Sequence, residues 1–432
     1  MDNKLPRVLV PGIHVWQDKS SIRTLPEFFS CWDKDKIAHV YTKAGLPQSS
    51  VCDRFFRINE NAVIKSVFNR RVKTSSRVVN TESMTEAQQQ EMAKESKRYN
   101  GRHGIFLSFM RDMVWLLGKW KTKELDKFVE EFDPEVLFVT IYPVVYTARI
   151  QRYLIRKTGK PAVCFIADDN YSFKNCGLNP LAYIYRIWLR YNVRKLIKQC
   201  HRLFVITPKQ KEEYDRIFGI DSLILTRTVD IDDADNNKRN PHNPLKMVYT
   251  GKLGIGRDKT VADVAAAVEE INKDGERIRF DVYSGDTPKG KLAELLSRGG
   301  NRFCGSVTAD KIEGIQREAD ITLFAEAITG KYKNAARLSF STKITDYFKS
   351  GTCIFAVGNK DTAPMDYLIK EDAAVAATSK AEIKEKLLRL CDNPSMVTEY
   401  RKKAMDCGKR NHNRKKMADT LTATLKEAAK RV

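Results

Sequence analysis

A chain of 432 residues with 42% hydrophobic side chains can build two or three packed domains, which excludes a disordered tail and a small stapled scaffold. Lysine and arginine number 76 against 54 acidic residues, and the resulting +22 predicts an anionic partner: nucleic acid, an acidic lipid surface or a phosphorylated substrate. The opening MDNKLPRVLVPG has no apolar stretch of the kind a secretion signal needs. The run Ile105–Leu117 is broken by Arg111 and Asp112, short of the roughly 20 residues that span a bilayer, so the expected location is the cytosol.

Short apolar runs alternate with helix-period segments. In the first half strands are predicted at Val8–Val10, Ile37–Tyr41, Val136–Thr140, Ala162–Ile166, Leu203–Thr207 and Leu223–Thr226. In the second half they fall at Lys246–Thr250, Ile278–Tyr283, Ile321–Phe324, Cys353–Val357 and Ala373–Ala376. This rhythm predicts an α/β protein with doubly wound parallel sheets. Asp230–Pro244, DIDDADNNKRNPHNP, has nothing to bury and marks a linker. The expected division is a domain at 1–230, a linker at 231–244, a domain at 245–400 and a basic helix at 401–432. A polar, basic insertion is expected at about 65–104. The nine cysteines lack C-x-x-C spacing and are expected to be reduced.

Two segments of the second half carry chemistry. After strand Lys246–Thr250 comes YTGKLGIGRDKT: glycines 251, 254 and 256 let the backbone approach a ligand, and Lys252, Arg257 and Lys259 gather cations at a helix N-terminus that already favours phosphate. Asp258 or Thr260 is placed to cap that helix, whose face is Val261, Val264, Ala265, Val268 and Ile271. The spacing nearly makes a P-loop, but Arg257-Asp258 stands where Lys-Ser/Thr belongs, and Asp258 would put a negative charge at the magnesium ligand's place. The second segment is SFSTKITDYFKSGTCIFAVG. Ser339, Ser341 or Thr342 can cap a helix, and Lys343 in its first turn opposes the helix dipole unless an anion sits there. Asp346, one turn on, can accept from ribose hydroxyls.

Together with GSVTADKIEGIQREADITLFAE, and with CHRLFVITPKQKEEYDRIFGIDSLILTRTVD in the first half, these segments resemble the GT-B-fold retaining glycosyltransferases of the family 4 type, over about Val136 to Asn393. The resemblance implies two Rossmann-like domains facing a central cleft, with the last helix crossing back. It implies Lys252 and one of Arg257 or Lys259 on the donor diphosphate, Gly251, Ser341, Thr342 and Lys343 around the phosphates, and Asp346 on the ribose. Leu338 stands where the family has its first acidic residue, beside Arg337, and Glu326 is the nearest acidic residue upstream. The family's N-terminal glycine loop is reduced to Pro11-Gly12, followed by His14, so Gly12, His14 and Glu326 are the candidates for acceptor or sugar contacts.

In CFIADDN a strand ends in Asp168 and Asp169. The family often places a His or Asp here toward the donor sugar, so Asp168 is the expected active-site group, with Asp169 as its partner or a cap. The other histidines, His39, His103, His201, His242 and His412, are not at metal-ligand spacing, and no metal is expected. Arg186, Arg190, Arg194 and Lys198 recur every fourth residue beside Tyr183, Trp188 and Tyr191, and predict a stripe facing anionic lipid. The aromatic run Ile105–Trp120 fits a headgroup region or a core equally. No nucleic-acid-binding pattern is present.

The resulting expectation is a metal-independent enzyme that transfers a sugar with retention from a nucleotide diphosphate-sugar, uridine favoured. Its acceptor would be a lipid-linked or cell-surface polysaccharide precursor, met at the cytoplasmic face of a membrane with which it associates peripherally. In this family the leaving diphosphate can take the acceptor's proton, so no dedicated base is required. The alternatives are a catalytically inactive protein that binds polyanions or membranes, and a P-loop kinase.

Overall fold

The computed structural model describes residues 5–18, 24–80, 104–231 and 240–431. His103, most of the expected 65–104 insertion and residues 232–239 of the expected linker lie outside the described residues. The chain forms two compact units: Met1–Val205 with Tyr214–Leu225 and Lys416–Val432, and Ile206–Glu213 with Thr226–Lys415.

The first unit is built on an eight-stranded sheet. Its strands are Val8–Pro11 (β1), Ile37–Tyr41 (β2), Arg54–Ile58 (β3), Ser75–Val79 (β4), Val136–Thr140 (β5), Ala162–Ile166 (β6), Arg202–Val205 (β7) and Leu223–Ile224 (β8), in the order β4-β3-β2-β1-β5-β6-β7-β8. All neighbours run parallel except β3 and β4. β1, β2, β5 and β6 are buried along their whole length, which is why they read as unbroken apolar runs: a parallel sheet is covered on both faces. β3 and β4 were not foreseen. They lie at one edge, where solvent-facing positions tolerate Arg54, Arg57 and Ser76, and β4 falls inside the stretch expected to be irregular.

The second unit has six parallel strands: Leu245–Thr250 (β9), Ile278–Tyr283 (β10), Asn301–Gly305 (β11), Ile321–Ala325 (β12), Cys353–Val357 (β13) and Val375–Ala377 (β14), ordered β11-β10-β9-β12-β13-β14. Edge strand β11, NRFCG, was likewise missed because it is mostly polar or half-exposed. The strand order turns at β9 and β12, which pair directly through Ile321 with Met247 and Thr322 with Val248. In open α/β sheets such a turn opens a crevice at the strands' carboxyl ends. Their amino ends are tied by the fully buried Asp320, whose carboxylate accepts from the amides of His242 and Lys246.

Two expectations about local structure change. The helix Arg257–Ile271 is capped by Gly256 in the left-handed region (φ +79°), not by Asp258 or Thr260; Asp258 sits in the first turn. The helix Ile105–Leu117 divides the aromatic run: Trp115 and Trp120 are buried, whereas Phe106, Leu107, Met110 and Leu117 are exposed. Asp112, which interrupts that run in the sequence, is itself buried. It accepts from the amides of Val145 and Tyr146 at 3.0 and 2.8 Å and from the Tyr185 hydroxyl at 2.5 Å. It therefore caps the helix Val145–Thr158, whose own cap residue, Val144, has no side-chain acceptor. All nine cysteines are unpaired. Among the described residues no helix is long and apolar enough to cross a membrane.

Candidate functional site

In the second unit the residues singled out from the sequence converge at the carboxyl ends of β9 and β12. β9 runs into Gly251, whose amide donates to Tyr283 O at 2.9 Å. The Leu253 amide then donates to Asp286 Oδ2 at 2.8 Å. Ile255 follows at φ +62°, a conformation a β-branched residue adopts only under constraint. The loop LGIG is thus held in a strained shape just before the N-terminus of Arg257–Ile271.

Across from it, β12 ends in Glu326, which is buried and whose Oε1 lies 2.8 Å from Arg257 Nη2. The Thr260 hydroxyl donates to Glu326 O at 2.8 Å, and the Glu326 amide to Val357 O at 2.9 Å, so the main chain of Glu326 is fixed on both sides. Glu326, expected as a sugar contact, is in this structure the counter-ion of Arg257.

Lys343 is the second residue of the helix Thr342–Ser350, whose cap, Ser341, makes no side-chain cap bond. Its ammonium reaches back over Gly251: a Cβ at that glycine, which has φ +151°, would lie 1.9 Å from Nζ. Only a glycine leaves this space. Nζ stands 3.4 Å from Tyr249 Oη and 4.6 Å from that ring's centroid. No carboxylate lies within ion-pair distance of it among the described residues. Burial first, then repulsion from Arg257, pushes its pKa from 10.5 down to about 8, against the partial attraction of Glu326 and Asp346. A half-buried, unpaired cation in a helix's first turn beside an arginine is an arrangement that an anion would complete.

Asp346, one turn later, pairs with Arg227 Nη1 at 3.3 Å, and the same Nη1 donates to Thr342 O at 3.3 Å. Arg227 was missed. It stands in the quoted run ending RTVD, but nothing in the spacing aims it at Asp346. Tyr249 and Asp286 were missed as well. Of the three expected loop cations only Arg257 joins Lys343; Lys252 and Lys259 are exposed and form no ion pair among the described residues. Thr342 is exposed at the helix start. Leu338 is fully buried, and its neighbour Arg337 makes two hydrogen bonds to Glu213, at 2.5 and 2.9 Å, so the family's first acidic position is here part of the core.

In the first unit Gly12 and His14 follow β1, and Asp168 and Asp169 follow β6, all at carboxyl ends of one sheet. A Cβ at Gly12 would lie 3.1 Å from His39 Cε1 and 3.2 Å from Tyr142 Oη. The buried His39 places its ring nitrogens 2.7 Å from Val10 O and 2.8 Å from His14 O, gripping this turn from beneath. Burial lowers the pKa of both His14 and His39 to about 4, and a neutral His39 donates from one ring nitrogen only, to one of these two carbonyls. Asp169 is buried and accepts from the Ser172 amide at 2.9 Å within a turn, not as a helix cap, since Asn179 caps the next helix; Asp168 is exposed.

The basic stripe on the helix Pro180–Ile197 forms, with Arg194 and Lys198 exposed and Arg186 and Arg190 half-buried, and its arginines also reach the neighbouring loop. Arg186 donates to Asp169 O at 3.4 Å; Arg190 donates to Tyr171 O at 2.9 Å and lies 3.9 Å from the Tyr171 centroid; Arg194 contacts the Tyr171 hydroxyl. These three arginines hold the loop after β6, and only Lys198, just past the helix, is left as an exposed cation without such a contact.

No protein-family model matches the sequence, and no curated protein matches it. Solved structures do. The alpha,alpha-trehalose 6-phosphate synthase from Burkholderia multivorans superposes with a TM-score of 0.59 at 10% identity, over 99% of this chain and 98% of that one. The chain has the GT-B fold. A second GT-B structure, that of trehalose-6-phosphate from E. coli bound with UDP-2-fluoro glucose, matches with a TM-score of 0.57 at 8% identity over 98% and 99% of the two chains. TarM matches with a TM-score of 0.52 at 12% identity over 69% of this chain, which spans only 57% of TarM's length.

Proposed function

We propose that the protein is a glycosyltransferase that moves a sugar, with retention, from a UDP-sugar to a glycan acceptor. The acceptor would be a lipid-linked or cell-surface polysaccharide precursor met at the cytoplasmic membrane face. The observation that carries this reading is Lys343: a half-buried cation without a carboxylate partner, laid over Gly251 and beside Arg257 at the turn of the strand order. Lys343 and Arg257 would clamp the donor diphosphate, the amides at the start of Thr342–Ser350 would add their dipole, and Asp346, oriented by Arg227, would accept from the ribose. Such preorganised charge stabilises the diphosphate as it leaves, which is the main task in transfer without a protein base. Uridine is favoured because a GT-B neighbour holds UDP-2-fluoro glucose. In this scheme residues 1–230 bind the acceptor, with Gly12, His14 and Asp168 at the strand ends.

Calorimetric titration with UDP, GDP, ADP and magnesium-ATP, followed by release of UDP from UDP-sugars in the presence of acceptor extracts, tests the reading. Binding of UDP in preference to the others, with donor turnover, is expected. UDP binding without any turnover would favour the inactive polyanion-binding alternative, for which the buried Leu338 speaks. Preference for magnesium-ATP would favour the kinase.

The Lys343 pKa adds a pH signature. Between about 8, its value in the fold, and 10.5, its ordinary value, the unfolded chain holds more of this proton than the folded one. This group's contribution to stability therefore rises with pH across that window. Donor affinity runs the other way: it is flat between pH 7 and 8 and weakens by up to about tenfold per unit above. Lys343→Arg, whose charge persists, should remove the decline. Titration of a UDP-sugar from pH 7 to 9.5 checks both; an affinity independent of pH in the wild type would remove Lys343 from the diphosphate.

A further inference from the structure

We infer that the exposed apolar face shared by the helices Ile105–Leu117 and Pro180–Ile197 docks on the surface of an anionic bilayer. This deepens the membrane-facing part of the proposed function, but it rests on different residues from the arginine stripe. Phe106, Met110 and Leu117 lie at i, i+4 and i+11 of one helix, and are 60%, 44% and 54% exposed. Ile184, Ile187 and Tyr191 lie at i, i+3 and i+7 of the other, and are 58%, 59% and 55% exposed. The two helices meet through Phe109 and Trp188, whose ring centroids are 5.8 Å apart, so the two rows flank one seam. A contiguous apolar face of this kind on a soluble unit marks an interaction surface.

Charge selects the occupant. The helices Val145–Thr158 and Pro180–Ile197 contain no carboxylate, and the one in Ile105–Leu117 is Asp112, buried and capping another helix. Cations border the face: Lys195 lies 4.1 Å from the Tyr191 centroid, and Arg152 interacts electrostatically with the same tyrosine. Apolar anchors, a tyrosine at the boundary and a rim of one sign match a headgroup layer of anionic lipid. A second copy docked by two-fold symmetry would bring the same cations together with no carboxylate between them.

The test is sedimentation of the full chain with vesicles of phosphatidylcholine alone and of phosphatidylcholine mixed with phosphatidylglycerol. Wild type should partition at least about tenfold better into the anionic vesicles, and Phe106→Ser with Ile187→Ser should lower that by about tenfold or more. Arg152→Glu with Lys195→Glu should abolish the preference for anionic lipid. Four of the five tryptophans are buried and Trp188 is half-exposed, so quenching of wild-type fluorescence by brominated lipid reports docking without any substitution. Equal partitioning into both vesicles, unquenched Trp188, or a wild-type dimer that the serine variant dissociates would each overturn the inference. None of these readouts uses the donor site, so their failure leaves UDP binding unaffected, and loss of UDP binding leaves them unaffected.

Discussion

Lys343→Met is expected to lower the transfer rate by about 10²–10³, the cost of deleting one preorganised charge at a developing anion, and to raise stability at the same time. The gain in stability separates a functional lysine from a structural one. An ammonium whose pKa is held near 8 by burial and by Arg257 destabilises the unliganded fold at pH 7. An apolar side chain of similar length should therefore add about 2 kcal/mol, or roughly 4–8 °C in the melting temperature of a unit this size. A gain in stability coupled to a loss of activity is the signature of a site tuned for its ligand. Melting curves of wild type and variant without nucleotide, beside initial rates, decide it. A variant that melts lower would make Lys343 an ordinary packing residue.

Asp112→Ala should destabilise the first unit strongly. It removes the acceptor for two amides at the start of Val145–Thr158 and for the Tyr185 hydroxyl, leaving buried donors unsatisfied. A lost cap costs about 1 kcal/mol, and each orphaned buried group adds about 1–3 kcal/mol. A total near 3 kcal/mol, or roughly 6–12 °C, is expected. Asp112→Asn keeps one acceptor but turns its NH2 toward the other amide, and should recover only part of that loss. Thermal melts of both variants check this; equal, small shifts would mean that water replaces the carboxylate.

The sequence made the central strands legible because VLFVT, AVCFI and CIFAV are buried on both faces and leave an unbroken apolar signal. RFFRI, SSRVV and NRFCG lie at or near sheet edges, where half of each strand meets solvent and the signal fades. Lys343 could be found because a cation in a helix's first turn contradicts the dipole. The choice among Lys252, Arg257 and Lys259 could not be made, since it depends on which side chain of the loop turns toward β12 and its Glu326. Arg227 was invisible for a related reason: it reaches Asp346 from more than a hundred residues away. Asp112 showed only as a break in an apolar run, and its role appears once the helix it caps is in place. The arginine stripe was legible as a spacing, but its contacts were not: the rings of Tyr171 and Phe173 lie under Arg190.

The most direct test of the proposed donor site is calorimetric titration of UDP into wild type, Lys343→Ala and Lys252→Ala at pH 7. The convergence of Lys343 with Arg257 and Glu326, and the exposure of Lys252, predict an affinity that falls by about 10–100-fold in Lys343→Ala and changes by less than about threefold in Lys252→Ala. Unchanged UDP affinity in Lys343→Ala, or loss in Lys252→Ala alone, would contradict the account.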